Sequence, residues 1–136
     1  MKKQSWAIVA GLMLLLAAIP AWAHHAFASE FDAAKPIKVK GTVVKWELIN
    51  PHSWLTISAK DDDGSDVTWR FEGPPPINLF RLGFTKDSLP AGTVVIVEGY
   101  AAKDGSKRAS EKNVTFPDGK TLLMGLPDPE AKPAQK

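Results

Sequence analysis

Between Ile37 and Leu48 the chain alternates apolar and polar residues, and partway along that alternation changes phase. Ile37, Val39, Gly41 and Val43 share one face of an extended strand, whereas Val44, Trp46 and Leu48 share the other. Side chains in a strand alternate with a period of two, so a phase change moves the buried face to the opposite side. A bulge, or a sharp bend at a glycine, achieves this while the strand stays paired. The pattern therefore predicts a bend near Gly41–Val44. Such a strand can serve two sheets of a small barrel.

The rest of the chain fits that frame. Asn50-Pro51 interrupts the first strand, and a second follows with Leu55, Ile57 and Ala59 on one face and His52, Trp54 and Thr56 on the other. Asp61-Asp62-Asp63-Gly64 reads as a hairpin turn. It does not read as a calcium loop: with Gly64 in the sixth position, the first and twelfth ligands would be Ala59 and Arg70. A third strand sets Val67, Trp69 and Phe71 against Thr68, Arg70 and Glu72, and stops at Gly73 and three prolines. Pro76 is placed to open a short helix over Ile77–Leu82 and Gly83 to end it, with Leu79, Phe80 and Phe84 plugging one end of the barrel. A fourth strand over Thr93–Tyr100, a fifth from Arg108 to Phe116 and a short segment at Thr121–Met124 complete the set. The expected fold is all-β with one short helix, a small OB-like five-stranded barrel. Another small β-barrel or an open β-sandwich is the alternative.

The front of the chain reads as an export signal. Lys2 and Lys3 precede an apolar run from Trp6 to Ile19, Pro20 breaks it, and Ala21-Trp22-Ala23 supplies the small residues a signal peptidase requires. The run is short for a bilayer span. Ala26-Phe27-Ala28 offers a second cleavage point. The chain thus divides into a signal peptide (1–23), a leader arm (24–36), a barrel domain (37–124) and a disordered tail (125–136). The mature protein is expected in the periplasm or secreted, with no membrane association after cleavage.

Charge and cysteine content narrow the partners. Losing Lys2 and Lys3 takes the 17 basic residues to 15, equal to the 15 acidic ones. A balanced chain lacks the basic footprint of a nucleic-acid binder, so no nucleic-acid partner is expected. The absence of cysteine excludes disulfides, thiol nucleophiles and thiolate metal sites.

A set of short motifs resembles a family of exported bacterial proteins known only as a domain of unknown function. Those motifs are His24-His25-Ala26-Phe27 with Glu30-Phe31-Asp32, Lys40-Gly41-Thr42-Val43, Asn50-Pro51-His52-Ser53-Trp54, Phe71-Glu72-Gly73-Pro74-Pro75, and Val97-Glu98-Gly99-Tyr100 leading to Lys103-Asp104-Gly105. The resemblance implies export and a single small domain. It implies no activity and carries no assigned residues.

The residues themselves leave two classes of function open. Cleavage after Ala23 gives His24 a free α-amine beside its imidazole, a pair that chelates one metal. His25 and His52 can add nitrogens, and a nitrogen set of this type favours Cu(II). Reach restricts the idea. Residues 24–36 would span about 20 Å as a helix and roughly 40 Å if extended. A site including His52 therefore needs the leader to run back along the barrel, or the bent strand to shorten the gap. The second class is a non-metal interaction domain that holds a partner protein or small ligand on a face including Trp54 and Arg70. Trp46, Trp54 and Trp69 could together form a stacking platform or could serve as packing. Enzyme activity is not expected: no nucleophile elbow, phosphate loop or zinc-protease helix is present, and Glu47, Glu72 and Asp66 form an acid–base pair only if a cleft joins them.

Overall fold

A computed structural model describes residues 27–123. The segment read as a signal peptide, His24, His25 and the expected tail lie outside the described residues. Residues 27–30 are helical and belong to a unit separate from the β domain that starts at Phe31. That domain contains β1 (Phe31–Ile49), β2 (His52–Lys60), β3 (Asp66–Glu72), α1 (Pro76–Arg81), β4 (Val94–Ala102), β5 (Arg108–Thr115) and β6 (Thr121–Leu123).

Five of the strands close on themselves. β1 pairs antiparallel with β2 and with β4, β2 with β3, and β4 with β5; a short parallel pairing of β3 with β5 shuts the ring. β6 adds antiparallel to β5 outside that ring. The ring order β1-β2-β3-β5-β4, with a helix between β3 and β4, is the expected OB-like arrangement.

The phase change in β1 is a bulge. Val43 faces Ile57 of β2, yet Lys45 faces Thr56, so Val44 is the extra residue. Val44 turns out to solvent, and beyond it Trp46 and Leu48 come back against the core. One inserted residue thus keeps the inward face apolar along the bent strand. β1 itself begins at Phe31, six residues before the alternation becomes visible, because Asp32 to Lys35 carry no apolar period. The leader arm expected over 24–36 is therefore partly β1.

The inward residues form one core: Val43, Leu55, Ile57, Phe71, Leu79, Phe84, Leu89, Val95, Val97, Ala109 and Val114. Pro76 sits in the first turn of α1, where a missing N–H costs nothing, and Gly83 follows its end with φ +86°. Leu79 and Phe84 plug the ring as expected, but Phe80 is 52% exposed. Neighbouring residues on a helix point about 100° apart, so a single short turn cannot bury both Leu79 and Phe80. The tryptophans also separate. Trp46 and Trp69 pack against the core, and Trp54 stands on the outer surface, so the three form no shared platform.

Candidate functional site

Alternation along β2, β3 and β5 places one set of side chains inside the ring and another on its outer wall. Leu55 and Phe71 face each other inside, which sends their neighbours Trp54 and Glu72, also paired in register, to the outside. Arg70 and Glu72 of β3 are in turn paired with Arg108 and Ser110 of β5. His52, the first residue of β2, belongs to the same outer set as Trp54. Three adjacent strands therefore gather His52, Trp54, Arg70, Glu72 and Arg108 on one patch.

The contacts within that patch are specific. His52 Nδ1 donates to Glu72 Oε1 at 2.6 Å, and the imidazole remains 45% exposed. This bond fixes the ring orientation and leaves Nε2 as the nitrogen available to a ligand. Glu72 Oε2 lies 3.6 Å from an Arg108 guanidinium nitrogen. Arg70 stacks its guanidinium 4.0 Å from the centre of the Trp54 ring, and Arg108 lies 5.8 Å from that same ring. Arg108 also reaches the other way, to 5.9 Å from the ring of Phe31, the first residue of β1. Phe31 is buried, so this end of β1 is packed and its position defined. One arginine thus touches both the start of β1 and the carboxylate that holds His52.

Directly behind this wall lies a group that sequence reasoning missed. Ser53 and Glu111 are the buried polar side chains among the described residues. Ser53 Oγ donates to the Pro74 carbonyl at 2.8 Å, whereas neither carboxyl oxygen of Glu111 has a partner among the described residues. Burial pushes the Glu111 carboxyl up to about 8, so the neutral acid is the resident form at neutral pH. Gly73 makes the space: a Cβ there would sit 2.5 Å from Ser53 Oγ and 2.7 Å from Glu111 Oε2. The residues flanking this interior cluster in the chain, His52 and Glu72, are the residues in contact through Nδ1 and Oε1 on the outer wall.

The sequence candidates therefore fare unequally. His52, Trp54 and Arg70 come together on one patch, joined by Arg108 and Glu72. His24 and His25 lie outside the described residues, and among the described residues no group of three His, Cys, Asp or Glu side chains is arranged to hold a metal. The three carboxylates weighed as acid and base do not converge: Glu47 pairs with Lys45, Asp66 with Lys60, and Glu72 with His52. The acidic hairpin is a self-capped turn in which Asp63 accepts from the Ser65 amide and hydroxyl. Arg108 and Glu111 carried a signal that the reading passed over. Arg108, Ala109, Ser110 and Glu111 alternate at the start of β5, and if Ala109 points inward, so does Glu111.

The family model for DUF6152, a family of unknown function, matches residues 10–111, and the chain belongs to that family. The match spans the strands that build the patch, from the first residue of β1 to Glu111 of β5. No curated protein and no solved structure matches the chain.

Proposed function

We propose that this protein is an exported binding module whose working surface is the outer wall of β2, β3 and β5, and that this surface takes Cu(II) with His52 as one ligand. The observation that carries the reading is the double contact of Arg108, on Phe31 at one end and on Glu72, the partner of His52, at the other. It supports the bent-strand route to His52 that the sequence left open. The first residue of β1 lies against Arg108 of β5, which also faces Glu72, the partner of His52. His24 and His25 precede Phe31 by seven and six residues, so the new N-terminus is close in sequence to the residue that Arg108 contacts.

The chemistry follows from the donors. Glu72 holds the imidazole by Nδ1, the arrangement in which carboxylates orient metal-binding histidines. The His24 amine and imidazole would supply two more nitrogens, and copper(II) is the divalent ion that such a set binds most tightly.

Two measurements test this. Intact mass of protein recovered from the exported fraction should correspond to cleavage after Ala23; a chain beginning at Ser29 would lack His24 and His25 and end the copper reading. Calorimetry and electron paramagnetic resonance on correctly cleaved protein should then show one Cu(II) in a nitrogen-rich field. Binding should weaken below about pH 6, where imidazole takes up its proton. One residue added before His24 should weaken it, because the amine leaves the chelate. His52→Ala should weaken it as well. If His52→Ala changes nothing, copper sits on His24 and His25 alone and the wall plays no part in holding it.

A further inference from the structure

The outer wall carries an arrangement that copper does not account for. Arg70 and Arg108 are in register on the parallel pair β3–β5, and their guanidinium groups lie 4.0 and 5.8 Å from the centre of the same Trp54 ring. Like charges directly opposite each other in a sheet are unfavourable. Glu72 is the acid beside them, and its two oxygens are already directed at His52 and Arg108. Arg70 has no acidic partner among the described residues and is exposed. It is nevertheless ordered by Trp54, whose ring lies 4.0 Å beneath its guanidinium. Stacking covers the flat face of the group and leaves its edge, with the N–H donors, turned away from the ring.

We infer that Arg70 and Arg108, aligned beside Trp54, form a binding site for the carboxylate of a small organic acid. The inference rests on the reading of this wall as the working surface and names a ligand class for it. A guanidinium edge matches a planar carboxylate with two parallel N–H···O bonds. Glu72, 3.6 Å from an Arg108 nitrogen, sets a negative charge at the site that repels a dianion more than a monoanion. The indole beside the guanidinium gives an apolar border on which the hydrocarbon part of such an acid can rest.

The test uses the whole mature protein without metal, titrated with acetate, inorganic phosphate or chloride at matched ionic strength. Nitrogen–proton correlation spectra should show saturable shifts of the Arg70 side chain and the Trp54 indole with acetate, at lower concentration than with phosphate. Chloride should produce neither. Arg70→Gln should weaken acetate binding about tenfold, the loss expected for a charge-assisted pair. Saturating acetate should raise the melting temperature of the wild type and leave that of the Arg70→Gln protein unchanged. Equal responses to chloride, or an unchanged affinity in Arg70→Gln, overturn the inference. Tighter binding of phosphate overturns the carboxylate assignment. A copper titration on Arg70→Gln separates this proposal from the one above, because the His24–His52 reading does not use Arg70. Retained copper binding with lost acetate binding places the two ligands on separate residues of one wall, whereas loss of neither shows that Arg70 binds nothing.

Discussion

Glutamine at position 111 should flatten the fall in stability that the wild type shows as pH rises from about 5 to 8, and should make the protein more stable than wild type above that range. The Glu111 carboxyl is pushed up to about 8 by burial in the folded protein, against an ordinary value near 4.5 when the chain unfolds. Between those two values the folded state holds a proton that the unfolded state has released. Stability therefore decreases with rising pH across this window and levels off above it. The full effect of ionising this one group is up to roughly 5 kcal/mol, a large share of the stability of a small domain. Among the described residues the other buried polar side chain is the uncharged Ser53, so no buried opposite charge offsets it. At the acid end the sign reverses. Asp61, Asp63, Glu98 and Asp104 are held below their usual range by hydrogen bonds from Lys107, Ser65, Lys38 and Ser106 respectively, and protonating them removes those contacts. The wild type should thus be most stable near about pH 5, between the two effects. Glu111→Gln removes the alkaline fall and keeps the acid one. Urea denaturation at several pH values reads this directly, and parallel curves for the two proteins would show that Glu111 does not ionise inside the fold.

The strands, the hairpin, the helix and the bulge were legible in the sequence because each rests on a local rule. Period-two alternation located β2 and β3, turn residues bracketed β4 and β5, and a proline–glycine bracket located α1. The phase change in β1 predicted a bulge or bend near Gly41–Val44, and the extra residue is Val44. Three things were hidden. The first part of β1 has no apolar period, so its extent depends on pairing with β4 rather than on its own residues. The patch depends on ring closure, because Arg108 approaches Trp54 and Glu72 only when β5 lies parallel to β3, a contact between distant segments. Glu111 was hidden by habit: a glutamate in an alternating strand is normally assigned to solvent. Its inward position follows from Ala109, and the spare room beside it follows from Gly73. His52, Trp54 and Arg70 were visible as candidates because each lies on the polar face of its strand. That Glu72 and Arg108 would bind them together was not.

Alanine at Gly99 should cost about 3 kcal/mol or more, in contrast to alanine at Gly105. The reason lies in how the ring is shut. β4 and β5 change register between Glu98 and Gly99, where Glu98 faces Asn113 but Gly99 faces Glu111, so Lys112 is an extra residue in β5. This second bulge folds the β5 backbone onto Gly99. A Cβ there would collide with the carbonyl oxygen of Ser110, and its next neighbours are also backbone atoms of Ser110 and Glu111. Backbone cannot rotate out of the way as a side chain can, so β5 must shift. Ser110 is one of three β5 residues paired with β3, and Glu111 follows it. The strain is therefore delivered to the closure of the ring and to the wall that carries Arg70, Glu72 and Arg108. Gly105 makes the control. It has φ +77° and nothing near its absent Cβ, so alanine there meets only the strain of a left-handed turn, about 1 kcal/mol. Urea denaturation should separate the two variants by a clear margin. In Gly99→Ala protein that still folds, the indole signal of Trp54 should move while that of Trp46, anchored to the Thr85 carbonyl, stays in place. Equal losses in the two variants, or an undisturbed Trp54, would mean that the β4–β5 bulge is not what holds the ring shut.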